Sequence, residues 1–424
     1  MKTSLSMPDF FASFTALQEE QNLKSTLLGI GPMSERIVRV ALQVADRRSF
    51  PIMFIASRNQ VDLGELGGGY VCSWDQGSFL ETIGELAEQI RFSGLCYVCR
   101  DHGGPWQRDS ERSEKLSPEA AMDVAKRSYL EDLLRGFDLL HIDPTKDPHA
   151  EAANSLQTVI ERTVDLIEYV EKERRKRGLP EISYEVGTEE TSGGLTSPEV
   201  YESFIERLNA ILHRKGLPLP AFIVGQTGTL VRMTENVGRF DAGAAEALSR
   251  VAAKHGAGLK EHNADYLDDS ILLQHPPLGI TAANVAPEFG VVETAAYLEL
   301  GLVEAAEGHR IASGSRIVEI LSEKAVSSQR WRKWMVGKSK DASVKEAEEN
   351  EELRMRITRI CGHYVFDDPE VREALEGLTR NLSALGIDAE GYVDDRIDKS
   401  IDRYVTCFNL QDLTSKLLAH SQMS

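Results

Sequence analysis

Short apolar or β-branched runs alternate with amphipathic stretches along most of the chain. The runs cover residues 26–31, 51–57, 96–100, 139–143, 182–187, 221–225, 259–261 and 279–284, and each has the length and composition of a buried strand. Apolar positions at helical spacing fill residues 34–48, 76–92, 118–135, 154–177, 198–215, 242–255, 268–274 and 291–307. Strand followed by helix, repeated, predicts βαβ units on a parallel sheet. Eight such pairs within about 280 residues match the usual size of a (β/α)8 TIM barrel better than that of an open sheet. Pro118 and Pro198 each follow a Ser and suit a first helical position, and the helix ending at Arg177-Gly178 has a basic last turn and a glycine stop.

The alternation has clear limits. A polar, helical opening precedes it, so residues 1–25 read as an N-terminal extension and 26–309 as the barrel. From about residue 310 the pattern turns helical, with an acidic stretch at 341–353 and apolar-periodic segments near 370–385 and 410–418. Residues 310–424 are therefore expected to form a helical C-terminal subdomain or an oligomerisation element. No repeat of solenoid length and no low-complexity tract interrupts this plan.

Composition narrows the partners. The chain of 424 residues carries 67 acidic and 48 basic side chains, a formal charge of −19. That field repels phosphate backbones, which excludes nucleic acid and anionic membranes as main partners but not a small, locally neutralised ligand. No segment stays apolar long enough to span a bilayer, and the first residues lack the pattern of a signal peptide, so a cytoplasmic location is expected. Five cysteines do not suggest a disulfide framework. Cys96 and Cys99 have CxxC spacing, but they alternate within an apolar strand and read as buried thiols.

Parallel α/β barrels place chemistry where strands end. Polar groups stand there on nearly every predicted strand: Asn59 and Gln60 on the second, Asp101-His102-Gly103-Gly104-Pro105 on the third, and His141 and Asp143, sharing one face, on the fourth. The fifth brings Glu185 and Glu189, the sixth Gln226, the seventh His262 and Asp265, and the eighth Asn284. A lone Asp or Asn after a strand is often a turn or a helix cap. Two histidines with several carboxylates on one rim, however, form a borderline-hard donor set suited to Zn²⁺ or a similar divalent ion.

The segments Asn59-Gln60, Gly68-Gly69-Tyr70, Asp101-His102-Gly103-Gly104-Pro105, His141-Ile142-Asp143, Gly187-Thr188-Glu189, His262-Asn263-Ala264-Asp265-Tyr266 and Trp331-Arg332-Lys333-Trp334 resemble, in order and spacing, the accessory Z-type subunit of tagatose-1,6-bisphosphate aldolase. That family is similar in turn to zinc-dependent class II ketose-bisphosphate aldolases. The resemblance implies that His102 and His262 are metal ligands, that Asp101 is the acid/base, and that Glu189 is a carboxylate ligand with Glu185 as its substitute. Glu189 and Asp265 join Asp101 as catalytic candidates, and Asn59, Gln60, Asp143, Gln226 and Asn284 as substrate-binding ones. The aldolases have a third His on strand six, where this chain has Gln226. They have a small phosphate cradle after the strand-seven His, where this chain has Asp265, a carboxylate that would repel a phosphate.

A divalent ion on a ketose would polarise the carbonyl and stabilise an enediolate, equipment that serves aldol cleavage or C4 epimerisation. Three readings stand side by side: a metal-dependent carbohydrate enzyme, a non-catalytic barrel that stabilises a class II aldolase subunit, and a sugar-phosphate kinase. The last lacks any GxxxxGK[ST] loop. A sugar or sugar phosphate is the expected ligand and a homo-oligomer the expected state. The Trp331–Trp334 segment and Arg359-Ile360-Cys361-Gly362-His363-Tyr364 belong either to ordinary tail packing or to an interface or the mouth of the site.

Overall fold

The computed structural model describes residues 5–150, 155–187 and 194–422. Eight parallel strands close into a barrel: β1 (Leu27–Ile30), β2 (Ile52–Ser57), β3 (Cys96–Gly103), β4 (Leu139–Ile142), β5 (Ser183–Gly187), β6 (Phe222–Val224), β7 (Gly258–Glu261) and β8 (Ile280–Val285). The closing seam pairs β1 with β8, Leu27 opposite Ala282 and Ile30 opposite Val285. Both faces of each strand are covered, the inner by the barrel's own filling and the outer by helices, so β1 and β4 are buried along their whole length. The chain is thus an α/β TIM barrel with a helical C-terminal region.

Local chemistry fixes the helices. Ser34, Ser117 and Ser197 each accept a backbone N–H of the following first turn, which starts the helices Glu35–Arg48, Pro118–Arg135 and Pro198–Lys215. The N-terminal helix Met7–Glu20 closes the lower end of the barrel. Its Phe10 packs against Tyr97, with ring centroids 4.9 Å apart, and Phe11 meets Phe222 edge-on at 4.6 Å.

The tail helices lie against the barrel. Ala389–Cys407 packs on both Pro287–Ala306 and Glu35–Arg48, and a ladder of ion pairs joins it to the latter: Arg36 and Arg39 to Asp394, Arg47 to Asp398, Arg48 to Asp402. A second apolar cluster, with Trp331 and Ile357 fully buried, forms under the segment around Ile317–Ser327 and Glu351–Cys361. Cys96 and Cys99 are buried and are not joined in a disulfide. Among the described residues no helix is long and apolar enough to cross a membrane.

The loops after β2 and β3, which carry much of the rim, rest on buried charge. Arg100 grips Asp132 through Nε at 2.8 Å and Nη2 at 2.5 Å. Asp62 accepts from Arg58 Nε at 3.0 Å, from Ser128 at 2.8 Å and from Arg108 at 3.4 Å, and Gln76 links Asp62 to Asp132. Charges this dry are tolerable only when paired and hydrogen-bonded. Asp132→Ala, which strands the Arg100 guanidinium, is expected to lower unfolding free energy by about 3–5 kcal/mol. Loss of the exposed pair in Arg47→Ala is expected to cost about 1 kcal/mol or less. Urea denaturation of both variants checks the contrast.

Candidate metal centre

Adjacent residues of a strand ordinarily point to opposite faces. Asp101 and His102 nevertheless meet the same partner, because β3 is bulged there. Its register against β4 runs Arg100 to Leu140 and then Gly103 to Ile142, so β3 fits three steps against two. His102 absorbs the extra residue in the left-handed region, at φ +43°, where non-glycine residues are strained. Gly104 follows at φ +118°, and any Cβ on it would lie 2.5 Å from the Asp143 carbonyl oxygen, so only glycine lets the β3 and β4 loops touch.

Three imidazoles converge over the mouth. His102, His141 and His262 come from β3, β4 and the end of β7, with ring centroids 4.7–5.2 Å apart. His102 Nε2 faces His262 Nδ1 at 3.0 Å. Asp101 and Glu185 join them, and the candidate ligand atoms of Asp101, His141, Glu185 and His262 lie within 4.8 Å of one another. Tetrahedral Zn–N bonds of about 2.0–2.1 Å place two ligand nitrogens roughly 3.3 Å apart, so the rings need little movement to share an ion.

Each outer ring nitrogen has a holder. Asp143 Oδ2 sits 2.7 Å from His102 Nδ1, and Thr145 in turn donates its hydroxyl to Asp143 at 2.5 Å. Glu185 Oε1 lies 2.5 Å from His262 Nε2, while its other oxygen accepts from Lys260 Nζ at 2.6 Å. Carboxylates that hold the outer nitrogen of a histidine fix its tautomer and aim the inner one. His141 Nδ1 accepts the His102 backbone N–H at 3.2 Å, which leaves its Nε2 buried without a hydrogen-bond partner among the described residues. An orphaned, buried imidazole nitrogen beside two others fits a metal ligand.

The electrostatics agree with the geometry. Burial pushes His141 down to about 4, so the ring is neutral and its lone pair available. Burial works against charge on Asp101, but His102, then His262 and His141, offset it and hold the carboxyl below its ordinary value. Burial likewise opposes charge on Glu185, and Lys260, His141 and His262 pull its carboxyl well below the usual range. Burial disfavours a charged His102, yet Asp101 and Asp143 raise its proton affinity. Asp101 Oδ1 is 3.7 Å from His262 Nδ1 and accepts from Asn284 Nδ2 at 3.1 Å. Gly29 on β1 admits that asparagine, since a Cβ there would stand 2.3 Å from Asn284 Oδ1.

Of the residues singled out in the sequence, Asp101, His102, Asp143, Glu185, His262 and Asn284 come together here. Glu189 lies outside the described residues. Asn59 ties the β2 loop to the β3 loop, donating to the Gln107 carbonyl and accepting the Asp109 N–H. Gln60 is buried, accepts from Ser57 N and donates to Met33 sulfur. Gln226 is buried at the end of β6, its backbone N–H held by the Thr196 hydroxyl. The third imidazole thus comes from β4 rather than from strand six. His141 and Lys260 were not singled out as site residues. The signal for His141 was its place two residues before Asp143, on one face of a barrel strand.

Asp265 has a different environment. Its Oδ1 accepts the backbone N–H groups of Ala286 at 3.0 Å and Glu288 at 2.9 Å, so it caps the helix Pro287–Ala306 that follows β8. Burial, with Glu288 alongside, pushes its carboxyl up to about 8. The anion-binding end of that helix is therefore filled by the protein's own side chain.

The family model described as D-tagatose-1,6-bisphosphate aldolase subunit GatZ/KbaZ-like matches residues 14–404. Among solved structures the chain is similar to a probable tagatose 6 phosphate kinase from Sinorhizobium meliloti 1021. That match has a TM-score of 0.73 and 20% identity, covering 90% of this chain and 100% of that one. The chain is also similar to a fructose-bisphosphate aldolase from Campylobacter jejuni, with a TM-score of 0.57 and 9% identity over 97% of each chain. At these identities the likeness is one of fold. No curated protein matches the chain.

The cap makes a testable distinction. Asp265→Asn keeps an acceptor for both N–H groups and is expected to cost less than about 1 kcal/mol, whereas Asp265→Ala loses roughly 0.5–2 kcal/mol. Unfolded Asp titrates near 3.9, so between about pH 4 and 8 the folded chain keeps a proton that the unfolded chain has lost. Stability from this group falls as pH rises through that window. The Asn variant lacks this fall, and denaturation of both proteins at pH 5, 7 and 9 reads the difference.

Proposed function

The chain belongs to the D-tagatose-1,6-bisphosphate aldolase subunit GatZ/KbaZ-like family, and on that premise we propose that its barrel is a divalent-metal carbohydrate enzyme that cleaves or epimerises a ketose or ketose phosphate. The observation that supports this most is the convergence of His102, His141 and His262 with Asp101 and Glu185 at one end of the barrel. His102, His141 and His262 would hold a zinc-like ion, which when bound would supply a Lewis acid toward a ketose carbonyl.

The protein groups around it do the rest. Asp143 and Glu185 hold the rings of His102 and His262 in place. Asp101, kept ionised by the histidines and aimed by Asn284, takes the proton of the C4 hydroxyl as the C3–C4 bond breaks. Asp101 gives that proton back on re-addition, and attack on the other face of the aldehyde inverts C4. His141, neutral and buried, completes the imidazole set. Lys260 acts through Glu185 and is a positioning residue.

The family description as an aldolase subunit favours a second reading, a barrel that stabilises a separate catalytic chain. One experiment separates the two. The purified, metal-loaded protein is incubated alone with ketoses, ketose phosphates and ketouronates, and products are followed by NMR. The expected outcome is turnover of one panel member without ATP consumption. Asp101→Asn is expected to reduce kcat by about 10²–10⁴-fold with metal content unchanged. His262→Ala is expected to lose the metal by elemental analysis. No conversion, together with co-purification of a catalytic aldolase chain, establishes the second reading instead.

A further inference from the structure

The proposed chemistry leaves a polar cluster unused where the helical tail meets the barrel mouth. The Arg330 guanidinium lies 4.6 Å from the Tyr70 ring centroid and 5.4 Å from that of Tyr364. The Lys333 ammonium lies 5.2 Å from the Trp334 ring and 5.4 Å from Tyr364. The two tyrosine rings meet edge-on at 4.7 Å, and Trp334 Nε1 donates to the Tyr364 hydroxyl at 2.9 Å. Aromatic faces thus hold both cations in fixed positions.

Neither cation has a carboxylate within ion-pair distance, nor a side-chain hydrogen bond, among the described residues. In a chain with a formal charge of −19 this is unusual, since exposed cations elsewhere, such as Arg48 and Lys254, find acids. Beside them His363 is buried, its ring centroid 4.2 Å from that of Tyr364, and both of its nitrogens lack a hydrogen-bond partner among the described residues. Burial, then Lys333 and Arg330, push it down to about 3, so it is a neutral imidazole with one N–H to offer. Lys333 itself keeps an open face to solvent.

The cluster shares a rim with the histidines. Tyr70 N donates to the Asn59 carbonyl at 3.0 Å, and Asn59 Nδ2 donates to the Gln107 carbonyl at 3.2 Å. Gln107 Nε2 donates to the Asp143 carbonyl at 2.9 Å, and Asp143 holds His102. Asp109 of the β3 loop, outside ion-pair distance, and then Lys146, three residues beyond Asp143, act electrostatically on Lys333, and Lys146 acts on His102 as well. The usual anion seat at a helix N-terminus is meanwhile occupied by Asp265.

We propose that Arg330 and Lys333, walled by Tyr70 and Tyr364 with His363 beside them, form an anion subsite for the terminal phosphate or carboxylate of an open-chain sugar. The Arg fork offers two parallel donors and Lys a compact charge, the combination that tetrahedral and planar oxyanions take. The subsite rests on the sugar-binding reading of the mouth, but its grip on an anion does not need the metal.

Isothermal titration calorimetry of the full chain with inorganic phosphate, D-fructose 6-phosphate, D-glucuronate and D-fructose tests it. Fructose 6-phosphate or glucuronate is expected to bind at least tenfold more tightly than fructose, and the better of the two identifies phosphate or carboxylate as the source. Arg330→Gln and Lys333→Met are each expected to weaken that binding about tenfold, with Arg330→Lys intermediate and melting temperatures unchanged. His262→Ala, with the histidine set broken, is expected to keep the at least tenfold preference for the anionic sugar over fructose even where both affinities fall, so loss of the metal chemistry and loss of the subsite give different results. The proposal is overturned if the wild type binds neither anionic sugar more tightly than fructose. It is also overturned if natively melting Lys333→Met and Arg330→Lys or Arg330→Gln proteins bind as the wild type does.

Discussion

Glu185 is a carboxylate with no access to water, in the middle of a closed barrel, and it serves two groups at once. Lys260 neutralises one oxygen and His262 takes the other. An ionised acid at such depth is tolerable only with a full set of partners. The pair also reaches past a strand, since β6 lies between β5 and β7 and its Phe222 ring sits 5.4 Å from the ammonium. Once Glu185 is held, the His262 ring has one orientation. His262 then faces His102, His102 is held by Asp143, and Asp143 by Thr145, so one buried charge pair sets the pose of a whole line of side chains.

The barrel is legible in the sequence because doubly buried strands read as continuous apolar runs and their ends as abrupt polar breaks. The site is legible as far as residue type and strand position carry it, which includes Asp101, His102, Asp143, Glu185, His262 and Asn284. His141 is visible among the polar groups of the rim but receives no role, because a third imidazole is sought on strand six. Lys260 escapes for another reason. A lysine in a short strand reads as the solvent face, and only Glu185, 75 positions earlier, makes it a buried partner. Asp265 looks like a base and works as a cap, since the same carboxylate suits both tasks and only the direction of its lone pairs decides. The bulge that turns Asp101 and His102 to one side leaves no mark beyond the glycines after it.

The rim is stiff on one side and open on the other. Under the β2 and β3 loops the Arg58, Asp62, Arg100 and Asp132 network leaves almost no polar atom to solvent. Across from it the tail brings stacked aromatic rings and two cations that have no carboxylate within ion-pair distance among the described residues. The anionic sugar proposed as ligand would meet held imidazoles at one end and positive charge at the other. The acidic surface makes that positive mouth stand out at longer range.

The closing seam has a further consequence for the order of events in synthesis. The groups around the histidines come from β3, β4, β5, β7 and β8, and Asn284 meets Asp101 across 183 positions of chain. The seam itself joins Leu27 to Ala282. Contacts this distant form late, because the chain loses its freedom before they repay it. A growing polypeptide on the ribosome therefore carries histidines and carboxylates in separate pieces. The set of side chains around the histidines is complete only once residue 284 has been made and the ring has shut.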